Sequence, residues 1–181
     1  MYYPEKKLVL KDGRTALFTG PAPEMAEEMI AYMKTTAGET PFLLRTPDEC
    51  NFTVDGEAIY LRNLLESEYT VMIVCFVEGK LAGNCQIARK AHLKNKHRGT
   101  VAIALLREFW GLGIGTAMFE EMLEIARGWG LAQVELEVIE GNGRAMALYE
   151  KMGFETVSAI PDAIRLEDGT SLKEFTMVKK L

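Results

Sequence analysis

Three glycines at alternate positions, Gly111, Gly113 and Gly115, separate an apolar, β-rich run (Thr100 to Leu106) from an amphipathic stretch that follows at once. Glycine lets a backbone turn tightly and bring successive N–H groups to one side. A helix starting there adds its own unpaired N–H groups and the positive end of its dipole. Strand, glycine turn and helix in that order build a cradle for phosphate oxygens. The amides of Gly111, Leu112, Gly113, Ile114, Gly115 and Thr116 would form it. A side chain at Gly111 or Gly113 would crowd it. The plainer alternative is a strand-to-helix turn that happens to be rich in glycine.

A second group of residues follows 27 positions after Gly115, in Asn142-Gly-Arg-Ala145-Met-Ala-Leu148-Tyr149-Glu-Lys-Met-Gly153-Phe154. Asn142 is a good helix N-cap. Ala145, Leu148, Tyr149 and Met152 share one helical face, and Gly153 is a natural stop. Tyr149 is a core aromatic on that pattern alone. Its hydroxyl, with an ordinary pKa of about 10, could also donate a proton.

Taken together, the two segments resemble the GNAT superfamily of N-acetyltransferases. Gly111 to Thr116 is similar to that family's acetyl-CoA pyrophosphate loop. Asn142 to Phe154 is similar to its Asn-x-x-Ala-x-x-Leu-Tyr-x-x-x-Gly-Phe signature. The likeness covers roughly Val71 to Phe154. One position departs: Trp110 stands where the family usually has Gln or Arg.

The resemblance implies an α/β fold: a mostly antiparallel, twisted sheet of about seven strands with about four helices. It implies that the strand Thr100 to Leu106 parts from the strand Ala132 to Ile139, a bulge opening a V-shaped gap. The pantetheine arm of acetyl-CoA would pair with the exposed edge by Ile103, Ala104 and Leu105, where a backbone N–H could stabilise an oxyanion. Asn142 would contact the cofactor. Tyr149 would be the general acid that protonates the departing thiolate. The acceptor would be a small-molecule or peptide amine attacking directly in a ternary complex, and a homodimer is the assembly to test for.

The attacking amine needs a general base, and four carboxylates are open for it: Glu137 on the central strand, Glu108 before the glycine loop, and Asp55 and Glu57 at the start of a helix. Two other readings compete. A non-catalytic acetyl-CoA-binding module would keep the loop and lose the proton donor, but Tyr149 is present. A dinucleotide-binding domain could use Glu135, about 20 residues beyond Gly115, for a ribose. It would need a third glycine and a parallel, doubly wound domain.

The elements that must position these residues are legible from pattern. Asp12-Gly13 is a hairpin turn between Lys7–Leu10 and Thr15–Thr19. Pro21 and Pro23 open a helix to about Ala37, with Ala26, Met29, Ile30, Met33 and Ala37 on one face. Gly38 to Asn51 is irregular, and Asp55 caps a second helix to about Ser67. Tyr69–Val77, Lys80–Ala91 and Thr100–Leu106 form an antiparallel meander. The helix after the glycine loop leads to Ala132–Ile139 by a crossover. Thr156–Leu166 and Ser171–Val178 close the chain.

Composition sets outer limits. The 181 residues suit one domain spanning 1–181. A net charge of −5 gives no footprint for nucleic acid. The run Arg89, Lys90, Lys94, Lys96, Arg98 reads as a solvated connection, or as a patch flanking the mouth of an anion site. It and Gly38–Asn51 are expected to border the acceptor site. Cys50, Cys75 and Cys85 have no spacing for zinc or a disulfide framework, His92 and His97 do not suggest ligands, and no metal is expected. The first residues lack a leader pattern and no run spans a membrane, so the cytoplasm is the default expectation.

Overall fold

A computed structural model describes residues 3–181; Met1 and Tyr2, where the reading of the leader begins, lie outside the described residues. Among the described residues, eight strands form one sheet: β1 (Lys6–Val9), β2 (Thr15–Thr19), β3 (Thr70–Val77), β4 (Lys80–Arg89), β5 (Arg98–Leu105), β6 (Gln133–Ile139), β7 (Glu155–Arg165) and β8 (Ser171–Lys180). Their order across the sheet is β1-β2-β3-β4-β5-β6-β8-β7. That is one strand more than the resemblance implies, because the Asp12-Gly13 hairpin contributes two strands at one edge. Pairing is antiparallel except between β5 and β6, which run parallel.

Four α-helices complete the fold: α1 (Ala26–Glu39), α2 (Val54–Glu66), α3 (Ile114–Gly128) and α4 (Gly143–Lys151). α1 runs through Gly38, so the irregular segment begins two residues later than its composition suggests. Its buried face carries Tyr32 and Thr36, with Ile30 and Met33 only half-buried. α2 is capped by Thr53, whose side chain accepts the Gly56 N–H at 3.1 Å. Asp55, expected as the cap, lies in the first turn, where a carboxylate faces the positive end of the dipole. α3 buries Ile114, Met118, Phe119, Met122, Leu123 and Ala126. Trp129 is the half-buried residue that ends the helix.

The parallel join between β5 and β6 is short. It lasts three residue pairs: Arg98–Gln133, Gly99–Val134 and Thr100–Glu135. Beyond Thr100, β5 stays paired with β4 as far as Leu105, while β6 stays paired with β8 as far as Ile139. The two halves of the sheet therefore separate. No bulge opens the gap: the β4–β5 register is continuous, and the irregularities lie at Cys75/Phe76 and within the β7–β8 hairpin. Gly83 holds the β4 side closed, since a Cβ there would lie 2.2 Å from Leu105 Cδ2 and 2.6 Å from the Ala104 oxygen.

Candidate active site

The gap leads into a cavity of about 630 Å³. Ile103, Ala104 and Leu105 form one wall, and Tyr149 and Leu148 of α4 face it. Tyr32 steadies this wall from α1, donating its hydroxyl to the Ala104 carbonyl at 2.8 Å. Its ring is almost fully buried, and burial pushes its hydroxyl pKa far up.

The glycine loop closes one end. After a 3-10 turn at Arg107–Phe109, the backbone passes through positive φ at Gly111 (81°) and Gly113 (98°), and Gly113 caps α3. Both are left-handed conformations that favour glycine. The first intrahelical bond is Ala117 N–H to the Gly113 oxygen at 3.1 Å. The amides of Ile114, Gly115 and Thr116 therefore point along the axis without helical partners. Gly115 serves packing: a Cβ there would meet Leu148 Cδ2 at 3.1 Å, so its absence lets α4 close on α3. Of the loop residues expected in the cradle, Leu112 does not line the cavity; its carbonyl accepts the Lys11 N–H at 3.3 Å.

Three cations absent from the sequence reading meet at this end. Lys11 arrives from the first hairpin, with side-chain carbons 3.9 Å from where a Gly113 Cβ would lie. Lys151 donates to Thr116 Oγ1 at 3.2 Å. Arg144 stacks on Trp110, 4.7 Å from the ring centroid. All three line the cavity. Arg144 and Lys151 sit inside the second motif, where helical spacing could have found them. Lys11 is about a hundred residues from the loop and carries no local signal.

Asn142 does what its type suggests: Oδ1 accepts the Ala145 N–H at 3.2 Å, and the residue also lines the cavity. Tyr149 is 8 % exposed and packs edge-on against Phe119 at 5.3 Å. Its hydroxyl has no hydrogen-bond partner among the described residues, and burial pushes its pKa up to about 12. The ring is thus part of the core, and the residue also borders the cavity.

The far end is formed by Thr36, Glu39, Thr40, Phe42 and Leu43, from the end of α1 and the segment after it. Phe42 closes over Gly141, where a Cβ would touch its ring at 3.5 Å. The Arg89–Thr100 connection, expected to border the site, contributes nothing to the lining. It sits at the other end of β5, where Arg98 and Lys90 both pair with Glu135. That engagement also removes Glu135 as a ribose acceptor, and the largely antiparallel sheet is not a doubly wound one.

None of the four carboxylates weighed as a base lines the cavity. Glu108 pairs with Lys80 on the surface. Asp55 is exposed at the start of α2, and Glu57 is buried beside it, its pKa raised by desolvation. Glu137 is exposed on β6, its charge raising the pKa of Glu174 after desolvation has done so. The carboxylate that does line the cavity is Glu39, whose Oε2 accepts the Arg107 N–H at 2.7 Å. Among the described residues, no group of three or more His, Cys, Asp or Glu could hold a metal, and no helix is long and apolar enough to cross a membrane.

Residues 38–154 match the family model described as the acetyltransferase (GNAT) family. The chain belongs to this family. Its relatives include N-alpha-acetyltransferase 30 of Schizosaccharomyces pombe, 33% identical over 64 residues, which cover 32% of this chain and 43% of that protein. The L-amino acid N-acetyltransferase AaaT of Escherichia coli is 26% identical over 84 residues, 46% of this chain and 52% of that protein. The chain spans about half the length of the curated relatives it matches. Among solved structures, a GNAT-family acetyltransferase from Streptococcus pneumoniae is 26% identical with a TM-score of 0.85, covering 92% of this chain and 99% of that one. The structure of yncA from Salmonella typhimurium, solved with its cofactor acetyl-CoA, shares the fold at 12% identity and a TM-score of 0.78, over 92% of this chain and 94% of that one.

Proposed function

We propose that this GNAT family member is an acetyl-CoA-dependent N-acetyltransferase acting on a primary amine in a ternary complex. The observation that carries the reading is the parting of β5 from β6 beyond Thr100, with the freed end of β5, the glycine loop and Tyr149 lining one cavity. The donor set fits acetyl-CoA: unpartnered helix amides and three cations suit a pyrophosphate, and the exposed strand edge suits a pantetheine amide chain. Bound there, acetyl-CoA would supply an activated acetyl thioester.

The chain's own residues then have distinct tasks. Gly111, Gly113, Ile114, Gly115, Thr116 and Asn142 hold the phosphate end. Ile103, Ala104 and Leu105 orient the pantetheine arm through the backbone. Tyr149 gives its hydroxyl proton to the departing sulfur. A hydroxyl raised to about 12 stays protonated at neutral pH, so the donor is always loaded. The protonated amine gives one proton to water on the open side of the gap before it attacks, and the second, lost from the nitrogen as the amide forms, restores the Tyr149 hydroxyl. Glu39 supports a protonated amine as the arriving acceptor, with Phe42 and Leu43 meeting its apolar part.

A cytoplasmic setting is supported by three buried, unpaired cysteines. Burial raises Cys75 to about 12 and raises Cys85 as well, so neither is a nucleophile. A single acetyltransferase domain over 1–181 and a homodimer complete the proposal; light scattering reads the second directly. The test of function is incubation with acetyl-CoA and a panel of amines. Amine-dependent release of thiol, with an acetylated product found by mass, is the expected result. Tight binding of acetyl-CoA with no transfer to any amine class would favour a binding module.

A further inference from the structure

Two guanidinium groups converge on one tryptophan. Arg144 lies 4.7 Å and Arg107 5.6 Å from the centroid of the Trp110 ring. The ring itself is anchored, its Nε1–H donating to the Leu105 carbonyl at 2.9 Å. Arg107 is engaged, its guanidinium donating to the Glu39 carbonyl. Arg144 makes no hydrogen bond or ion pair with any described residue. Its Nη2 lies 3.7 Å from where a Gly111 Cβ would be, so it stands at the rim of the glycine loop. A guanidinium stacked on an indole face keeps its plane and leaves its in-plane donors available.

We propose that Arg144 binds the pyrophosphate of acetyl-CoA and that Trp110 is the platform that positions it. The inference rests on the acetyl-CoA reading above. The planar fork of Arg144 matches a phosphate bidentately. Its place against Gly111 points to the pyrophosphate, which the loop amides also face, in preference to the phosphate on the ribose. Pre-setting the guanidinium on Trp110 lowers the entropy lost when the phosphate arrives. Lys11 approaches the same loop at Gly113.

The test is equilibrium binding to the full chain of two ligands, CoA and dephospho-CoA, which lacks the ribose phosphate and keeps the pyrophosphate. Trp129→Phe removes the other of the two tryptophans, so that Trp110 reports by fluorescence. Trp129 contacts Arg89 and does not line the cavity. The Trp110 emission should change as CoA binds. Arg144→Ala should weaken both ligands by about 10- to 100-fold, the range for a hydrogen bond to a charged group. Trp110→Leu should weaken them in the same direction, and the double variant should lose little more than Arg144→Ala alone. Should Trp110→Leu melt early, the emission change and Arg144→Ala decide the matter. Native affinity of Arg144→Ala for both ligands would overturn the proposal. So would a loss seen with CoA and absent with dephospho-CoA, which would move Arg144 to the ribose phosphate. A wild-type chain that binds neither ligand would instead remove the acetyl-CoA reading itself.

Discussion

Tyr149 carries the sharpest expectation at the scale of single residues. Tyr149→Phe keeps the ring against Phe119 and removes the proposed proton donor. Turnover should fall by about 10²–10⁴-fold with cofactor affinity nearly unchanged. Steady-state rates beside calorimetric binding separate the two effects. Native turnover in the variant would return Tyr149 to a purely structural role. The raised pKa adds a stability signature. Folded Tyr149 titrates at about 12 against an unfolded value of 10.0, so its contribution is fully present below pH 10 and is lost as pH rises toward 12. Over that window the wild type should lose about 2–3 kcal/mol that Tyr149→Phe keeps. Urea denaturation of both proteins at about pH 9 and about pH 11 checks the sign.

Gly113 offers a second residue-scale test. Its φ of 98° strains any L side chain, and an added carboxylate would enter a site built for anions. Gly113→Asp should abolish acetyl-CoA binding while the far-ultraviolet spectrum stays native. Native affinity in that variant would reduce the loop to a turn.

At the scale of elements, the gap depends on how β4 and β5 meet. Gly83 faces Leu105, and Gly83→Ala would push a methyl group into Leu105 and the Ala104 carbonyl. Overpacking of this kind costs typically about 1–3 kcal/mol. Because Ala104 and Leu105 line the cavity, cofactor affinity should fall along with the denaturation midpoint. A stable variant with unchanged affinity would show that β5 yields there without harm. The caps are more local. Thr53→Ala should cost about 1 kcal/mol by freeing the Gly56 N–H, and leave binding alone.

Local chemistry made much of this readable before the structure. The Asn142 cap, the Gly113 turn and the Asp12-Gly13 hairpin each rest on residues within a few positions of one another, where sequence is a direct record of geometry. Gly83 carried no such signal, since its reason lies on the neighbouring strand. Lys11 reaches the loop only through the pairing of β1 with β2 and of β2 with β3. Glu39 was hidden by a helix that runs through Gly38, glycine being tolerated there at a modest cost. The expected bulge failed for a related reason: the gap comes from two strands choosing different partners, a property of the whole sheet.

At the scale of the whole molecule, one sheet is divided between two blocks, β1 to β5 and β6 to β8, joined by three residue pairs and by α3. A ligand lying between them touches both and should tie them together. Acetyl-CoA at about 100 times its dissociation constant should add roughly 2.7 kcal/mol to the unfolding free energy. Calorimetric titration of the wild-type chain decides whether this cleft takes acetyl-CoA. One acetyl-CoA bound per chain, with little heat from NAD or ATP, is the predicted result; heat from NAD and none from acetyl-CoA would contradict it.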